Sequence, residues 1–192
     1  SVTGVQECAL PIWLSRGIGR FEPHFRKIFL RTLGDRAREY PHLMTGAHAA
    51  VRIDTFGGDA DVTTGLPVLD HLVALFARAG RLHVTLDVAT GATADGAAAG
   101  ARALGEALAA PLRAPDASGA GWAVLPADEA LATASLEITD VPLVATNVDF
   151  SRQPVGGLDH DVVRRFLEEF AVGAGLNLHI RLVEGKEPEH VL

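Results

Sequence analysis

Eight histidines and 24 acidic residues give this chain several side chains that could bind a metal ion. His71 directly follows Asp70 at the beginning of a predicted helix, where a carboxylate can orient a ligand imidazole by accepting its second N–H. His179 lies in a predicted alternating strand, on the same face as Asn177 and Arg181. Imidazole and carboxylate groups are typical ligands of divalent transition metals. The alternatives are a helix-capping aspartate beside a surface histidine, and a plain surface histidine in the strand.

The sequence around the other reactive side chains gives weaker indications of a functional site. Asp128 and Glu129 form an acidic pair that could cap a helix-like turn after them. The single cysteine, Cys8, has no base beside it in the sequence, so we expect a bystander in a reducing, cytoplasmic setting. Five other histidines lack metal-ligand spacing and are expected to be exposed or structural: His24, His42, His48, His83 and His160.

The overall composition excludes some classes of function. The chain has 17 basic and 24 acidic residues, a net charge of −7, whereas a nucleic-acid surface needs clustered positive charge. No apolar run approaches the roughly 20 residues that a membrane-spanning helix requires, and no signal pattern is visible. We therefore expect a cytoplasmic globular protein that binds neither nucleic acid nor membrane.

Hydrophobic periodicity predicts the elements that must position these side chains. Apolar residues recur at helical spacing in residues 66–79 and alternate with polar ones in residues 82–89. Residues 92–110 form a predicted alanine-rich helix, whose small side chains favour tight packing over chemistry. In the strand region before these elements, Gly57 and Gly58 predict a hairpin.

The second half of the chain repeats this order. Strands are predicted in residues 131–146, a helix in residues 159–173, and an alternating strand in residues 176–184. The segment LHVTLDV in the first half matches LHIRLVE in the second, and this match aligns His83 with His179. It indicates an internal duplication with a period of roughly 95 residues.

The predicted fold class is α+β, with duplicated half-domains in which helices pack on one face of an antiparallel or mixed sheet. We expect an N-terminal extension over residues 1–45, with a basic amphipathic helix at residues 21–40. The first half would then span residues 46–115 and the second half residues 116–192.

Three collinear segments resemble motifs of the imidazole glycerol phosphate dehydratase family. Thr64–Leu72 (TGLPVLDHL) resembles the family's TG-(I/L)-x-F-LDHM, and Pro126–Leu131 (PADEAL) resembles its P-x-DEAL. Leu176–Lys186 resembles its T-LHI…GKN segment. The match runs in order from about Gly46 to Leu192, so the chain is identified as a divergent relative of these dehydratases.

The resemblance implies a fold, an assembly and a metal. The fold is that of two similar halves of the ribosomal protein S5 domain 2-like type, and trimers build large cubic shells. Two manganese ions lie between subunits and hold the imidazolate form of the substrate. His71, His179 and His190 match family metal ligands, while Asp128 matches an aspartate that lies near the substrate.

Other positions depart from the family's ligand pattern. The motif HHTxED, which supplies two histidines and a glutamate, aligns with Ala94, Asp95 and Ala98, so only Asp95 could coordinate a metal there. Glu189 stands at the first histidine of the closing pair, and the family's early glutamate falls near Thr45. This chain alone therefore has too few matching residues to provide the ligands of both manganese ions that the resemblance implies.

Phosphate recognition departs from the family in the same way. Val141 and Gly119 stand where the family places arginines, and neither side chain can bind phosphate bidentately. The predicted function is therefore a structural or regulatory dehydratase-like protein with lost or strongly reduced catalysis. The alternatives are an active manganese lyase, with rearranged ligands or completed by an intact dehydratase subunit, and a small-ligand binding module. Mn²⁺ is the expected cofactor if one is bound, and a trimer-based homo-oligomer is the expected assembly.

The family's closing segment, E-x-x-FKA, resembles the six residues beginning at Glu22 (EPHFRK). One hypothesis is a circular permutation, in which residues 19–40 take the place of the family's C-terminal helix; the alternative is a chance similarity of a short basic helix. Glu22 would then be a metal ligand, and Arg26 and Lys27 would bind phosphate. The prediction requires the beginning of this segment to lie near Leu192.

Overall fold

The structure is a computed structural model that describes residues 44–45, 49–55, 57–89, 93–115, 117–149 and 155–185. The elements in chain order are β1 (Met44–Thr45), β2 (Ala49–Thr55), β3 (Ala60–Thr63), α1 (Pro67–Gly80), β4 (Leu82–Val88), α2 (Ala94–Leu112), β5 (Ala120–Ala127), β6 (Ala130–Ile138), β7 (Leu143–Thr146), α3 (His160–Ala174) and β8 (Leu176–Glu184).

The first four strands form one sheet in the order β1-β2-β4-β3. β4 is antiparallel to β2 and parallel to β3, so α1 makes the crossover connection that parallel strands need. The predicted hairpin at Gly57-Gly58 is therefore wrong, because the strands that these glycines join lie on opposite sides of β4. The Gly57 N–H donates to the Arg81 carbonyl at 3.3 Å, and the Gly58 N–H to the Leu82 carbonyl at 3.0 Å.

The last four strands form a second sheet of the same order, β5-β6-β8-β7. β8 is antiparallel to β6 and parallel to β7, with α3 as the crossover. The predicted duplication and α+β fold class are thus visible as two sheets of one topology. Because Leu82 begins β4 and Leu176 begins β8, equivalent residues are 94 positions apart (176 − 82).

The register of the repeat differs from the prediction by two residues. Each crossover helix ends in a left-handed residue, Arg81 with φ 53° and Gly175 with φ 68°, directly before the central strand. His83 is therefore equivalent to Asn177, and His179 has no histidine mate. The predicted pairing of the two histidines is wrong because it aligned letters within the strands and ignored where the helices end.

The three helices share one hydrophobic core with both sheets, which combines Val51 and Leu86 of the first sheet with Leu176 and Ile180 of the second. Along β4 and β8, side chains alternate between this core and the outer face of the sheet, as the predicted alternation required. None of the described helices is long and apolar enough to cross a membrane.

The alanine-rich helix α2 is tightly packed, as predicted, and crosses α3 at two glycines. A Cβ atom on Gly105 would lie 2.4 Å from the carbonyl oxygen of Phe170, and one on Gly173 would lie 2.3 Å from that of Arg102. Real Cβ atoms do not approach backbone so closely. The two halves of the chain therefore meet backbone to backbone, which only glycine permits.

Candidate functional site

The segment TGLPVLDH folds into a hydrogen-bonded entry to α1. Thr64 is 1% exposed, and its backbone N–H donates to Asp70 Oδ1 at 2.9 Å while its hydroxyl donates to the same oxygen. The Leu66 N–H in turn donates to Thr64 Oγ1 at 3.2 Å. The Asp70 carboxylate therefore satisfies buried donors at the end of β3 and joins that strand to the helix.

His71 lies on α1 directly after this carboxylate, and its side chain is exposed. The described hydrogen bonds of the Asp70 carboxylate all come from Thr64, so the structure gives this carboxylate a folding role and no contact that orients the His71 imidazole. The alternative weighed for this pair was a helix-capping aspartate, but the N-cap residue is Leu66 and no side chain caps the helix, so Asp70 joins β3 to α1 without capping. His71 nevertheless faces outward, where a group from another molecule could reach it.

His179 lies on the outer face of the second sheet, away from the helices. In the register it is opposite Ser135 on β6 and Ala145 on β7, and its side chain is exposed. Asn177, on the same face of β8, has a buried side-chain oxygen that accepts no hydrogen bond within the described part of the chain. This face therefore carries an imidazole and an unsatisfied acceptor side by side.

Asp95 lies in the first turn of α2, where negative charge is favourable to the helix dipole. Its carboxylate accepts from Arg165 of α3 at 2.8 Å, and its side chain is 86% exposed. The N-cap is Thr93, whose hydroxyl oxygen accepts from the Gly96 N–H at 3.0 Å. The carboxylate predicted to replace a histidine ligand is thus paired with an arginine across the junction of the two halves.

This pairing predicts what Asp95→Ala will do. We expect the free energy of unfolding to fall by less than about 1 kcal/mol, because exposed ion pairs contribute little. The content of bound manganese should stay the same. Denaturant titration and metal analysis of the purified variant check both expectations.

Arg165→Ala is the matched control, since it removes the other partner of the same pair. The double variant should lose less free energy of unfolding than the two single variants together, because each single variant already breaks the same ion pair. Loss of a bound manganese ion on Asp95→Ala, with Arg165→Ala unaffected, would mean that the carboxylate is a ligand after all.

Asp128 and Glu129 form the two-residue turn between β5 and β6, whose flanking residues Ala127 and Ala130 are paired. Asp128 has φ 48°, the left-handed conformation that two-residue hairpin turns require and that aspartate tolerates. The predicted helix-like turn is therefore wrong, and the hairpin explains the acidic pair in structural terms. Asp128 is exposed at the tip of this hairpin.

The structure does not bring the predicted ligands His71, His179 and Asp95 together within one chain. Among the described residues, the one group of three histidine or acidic side chains with convergent ligand atoms is Asp159, His160 and Asp161, all exposed. His190 and Glu22, as well as the predicted phosphate ligands Arg26 and Lys27, lie outside the described residues. Among the described residues of a single chain, the predicted ligands therefore do not assemble into a manganese centre.

The acidic group at the beginning of α3 has a structural explanation. Asp159 is the N-cap residue and accepts from the Asp161 N–H at 3.1 Å. Asp161 also accepts from Arg164, and Arg164 donates to Glu168 one turn later. The hydrogen bond to Glu168 is the main cause that raises the pKa of the Arg164 guanidinium. Capping and ion pairing along one helix account for all of these contacts.

The positions that align with the family's phosphate arginines are open to solvent. Val141 is 75% exposed in the loop between β6 and β7. Gly119 has φ +73°, and a Cβ atom there would meet nothing within 4 Å. Neither position itself offers a positive charge. The Arg113 guanidinium lies in the same region, where it donates to the carbonyl oxygens of Thr139 at 3.1 Å and Ala174 at 2.8 Å.

An apolar cleft lies between α1 and α3 above β8, with an empty volume of about 730 Å³ that opens to solvent. No ionisable side chain lines it. The lining residues are Leu69, Leu72, Val73, Phe76, Leu104, Leu158, Val162, Val163, Phe166, Leu167, Phe170 and Leu178. Sequence reasoning predicted the apolar faces of both helices but gave no sign that they would leave a space between them.

Comparisons with known proteins identify relatives over most of the chain. A protein-family model described as imidazoleglycerol-phosphate dehydratase matches residues 64–192. The enzyme of that name from Pelobacter propionicus is 33% identical over 146 residues, 70% of this chain and 71% of the relative. The one from Methylorubrum extorquens is 34% identical over 149 residues, 74% of this chain and 75% of the relative. The Staphylococcus aureus crystal structure has a TM-score of 0.69 and 23% identity, and covers 78% of this chain and 87% of that chain.

Proposed function

The chain belongs to the imidazoleglycerol-phosphate dehydratase family, and from that premise we propose a member whose own manganese-dependent dehydration is lost or strongly reduced. Its role would be structural or regulatory, within a trimer-based homo-oligomer or beside an intact dehydratase subunit. The observation that carries the proposal concerns the residues that stand at the HHTxED positions, at the beginning of α2, and the contacts that they make.

At those positions the side chains take part in folding instead of coordination. Ala98 is 6% exposed and belongs to the packed face of α2, and Asp95 is held by Arg165 at 2.8 Å. An alanine methyl group offers no lone pair, so positions 94 and 98 supply none of the imidazoles that a manganese shell needs.

Substrate anchoring supports the same conclusion. The family's phosphate arginines correspond to Val141 and Gly119, which leave these two surface points without positive charge. Phosphate recognition by a bidentate guanidinium cannot be reproduced by an aliphatic side chain. Loss of metal ligands and of phosphate ligands in one chain favours a changed role over an enzyme with altered kinetics.

A second candidate is an active site completed by neighbouring subunits. His71 and His179 are both exposed, and the unsatisfied oxygen of Asn177 lies beside His179 on the outer face of the second sheet. A neighbouring chain could place its own ligands against this face. In that case an intact dehydratase subunit would supply the imidazoles and arginines that this chain lacks.

Metal analysis and turnover of the protein alone test the main proposal. After equilibration with Mn²⁺ and gel filtration, we expect about a tenth of an ion per chain or less, because even indirect ligand losses weaken metal sites 10- to 100-fold. With imidazole glycerol phosphate, turnover should be about a thousandfold below that of the Staphylococcus aureus relative, since losing several kcal/mol of Lewis-acid stabilisation has this effect.

The relative, prepared in parallel, is the positive control. Manganese near one ion per chain, with turnover within about tenfold of the relative, would contradict the main proposal. Co-expression with an intact dehydratase distinguishes the second candidate. Mixed assemblies that exceed the activity of their intact subunits alone would favour the completed site, whereas unchanged or lower activity would favour the structural role.

A further inference from the structure

Strand β5 forms one edge of the second sheet, and none of the described strands pairs with its outer side. It has eight residues, whereas the edge strands β3 and β7 have four each. Its sequence, AGWAVLPA, contains no charged side chain. Proteins commonly keep edge strands short or charged, because their unpaired N–H and C=O groups attract other strands. β5 has neither of these two protections.

The backbone groups of β5 that point away from β6 follow from the hairpin geometry. Ala127 and Ala130 flank the two-residue turn, so they exchange hydrogen bonds with each other, and every second residue of β5 does the same with β6. The Ile138 N–H donates to the Gly119 carbonyl at 2.8 Å, which fits this alternation. The even-numbered residues of β5 therefore direct their N–H and C=O groups outward.

Two of these four outward-facing residues already lack open backbone groups of both kinds. The Ala120 N–H donates to Ser118 Oγ at 3.4 Å, and the Ser118 hydroxyl donates to the Ala120 carbonyl. Pro126 has no N–H. For Trp122 and Val124, no group in the described part of the chain bonds to the outward N–H or C=O. The middle of the edge thus offers two donors and two acceptors.

The side chains around these open groups are apolar and reach solvent. Trp122 is 67% exposed and Val124 is 41% exposed, and both lie on the outer face of the sheet. Leu125, on the inner face, is 60% exposed. Large apolar side chains that cluster on a surface indicate an interaction site more strongly than isolated ones do. The edge therefore has the two features that a strand of another chain would cover.

We propose that β5 pairs with β5 of a second copy of this chain, antiparallel and about a two-fold axis through Ala123. This register places Trp122 opposite Val124 of the partner subunit, and Val124 opposite the partner's Trp122. Each pair exchanges two hydrogen bonds, so all open N–H and C=O groups of both strands are satisfied. The aromatic and β-branched side chains of each pair also meet on the outer face, which stabilises antiparallel strands. The two second sheets then form one continuous sheet.

Neighbouring registers leave some of these groups unpaired. An axis through Trp122 would place Val124 opposite the partner's Ala120, a position where the Ser118 side chain takes up both backbone groups. An axis through Val124 would place Trp122 opposite the partner's Pro126, a position without an N–H. The open groups of β5 therefore complement those of an identical strand in one register, and this self-complementarity favours a second copy as the occupant of the edge.

The charges near β5 do not oppose this pairing. Asp128 and Glu129 form the acidic tip of the hairpin, and the proposed register places Asp128 opposite Ser118 of the partner subunit. The two acidic tips then lie ten residues apart along the joined strands, or about 34 Å. This distance is several times the Debye length of about 8 Å at physiological ionic strength. Repulsion between the tips is therefore screened.

The pairing does not depend on whether the protein is an active dehydratase. It uses main-chain groups and apolar side chains of β5, and none of the positions that align with family ligands takes part in it. A two-fold contact is isologous, so it would add a two-fold axis to the proposed homo-oligomer. Failure of the pairing would thus leave the proposed function unchanged.

A disulfide bond across the two-fold axis tests the proposal. In a Cys8→Ser background, Ala123→Cys would place two thiols in a non-hydrogen-bonded pair, with Cα atoms about 4.5 Å apart, within the range that disulfides span. After mild oxidation of the native protein, we expect disulfide-linked dimers to be the major product on a non-reducing gel. The matched control is Ala120→Cys on the same strand, where the two thiols would be about 20 Å apart. It should give at most about a tenth of that dimer yield.

Equal dimer yields for the two variants would overturn the proposal, and so would the absence of a link at position 123, because another partner or none would then occupy the edge. A second measurement concerns the hydrogen bonds themselves. Added to Ala123→Cys, Val124→Pro removes an outward N–H without removing a bond to β6. It should lower the dimer yield about tenfold, because two of the four new hydrogen bonds are lost. Val124→Thr keeps the N–H and should leave the yield unchanged, so equal yields for these two changes would also overturn the proposal.

Discussion

Replacing Gly105 with alanine will lower the free energy of unfolding by about 3 kcal/mol, because overpacking against a contact that cannot yield is among the costliest core changes. The new methyl group would lie 2.4 Å from the Phe170 carbonyl oxygen and 2.7 Å from the Ala174 nitrogen. Both atoms belong to the backbone of α3, so no side-chain rotation relieves the clash. Thermal unfolding should show a midpoint about 6–12 °C lower.

The control is Gly100→Ala on the same helix. Its new methyl group would lie 3.0 Å from a Val88 side-chain carbon, which can move by a few tenths of an ångström. Alanine also favours the helix over glycine by up to about 1 kcal/mol, so the net change should be near zero. If Gly105→Ala were as stable as Gly100→Ala, the crossing of α2 and α3 could not be as close as the structure shows.

Removing the Asp70 carboxylate should lower the free energy of unfolding by about as much as Gly105→Ala does. Asp70→Ala leaves the N–H of Thr64 buried without an acceptor, and the hydroxyl of Thr64 can then donate only to the Leu66 carbonyl, at 3.4 Å. An unsatisfied buried donor costs about 1–3 kcal/mol, so we expect about 3 kcal/mol in total, measured by urea titration. Bound manganese should be unaffected by the change if the segment TGLPVLDH serves folding here.

Asp61→Ala is the matched control, since Asp61 is an exposed aspartate on the strand that leads to Thr64. It should change stability by less than about 0.5 kcal/mol. His71→Ala, the neighbouring change on the motif, should likewise leave the stability nearly unchanged because His71 is exposed. A large effect of His71→Ala together with a small effect of Asp70→Ala would reverse the roles assigned to this pair.

The helices were predictable from sequence because their signals are local. The helix predicted at residues 159–173 is α3, His160–Ala174, and the one at residues 66–79 is α1, Pro67–Gly80. Each depends on apolar residues repeated every three or four positions and on residues at its ends, such as the N-cap Asp159. Such patterns need no knowledge of distant parts of the chain.

The strand arrangement was less predictable because pairing joins residues far apart in sequence. β3 looked like the partner of β2 across Gly57 and Gly58, but β4 inserts between them after a complete helix. β5 was missed because AGWAVLPA contains glycine, alanine and proline, which are depleted in strands, and only its antiparallel pairing with β6 makes it one. In both cases tertiary contacts decided what local sequence left open.

The candidate site likewise combines features that local sequence predicts with features that depend on tertiary contacts. The family could be named from TGLPVLDH, PADEAL and LHI…EGK, because motifs survive as strings of letters. What each residue does now could not be read from those strings. The Asp70 side chain bonds Thr64, Asp128 forms a hairpin turn and Asp95 pairs with Arg165, and each of these contacts depends on a partner that only the fold supplies.

The glycine contact between α2 and α3 has a consequence for how such a protein can change over time. Gly105 and Gly173 have no side chains, so main-chain atoms set the spacing of α2 and α3 at this crossing. Substitutions on the outer faces, where His71 and His179 lie, can accumulate without altering this spacing. A scaffold held together in this way keeps its shape while the side chains on its surface change.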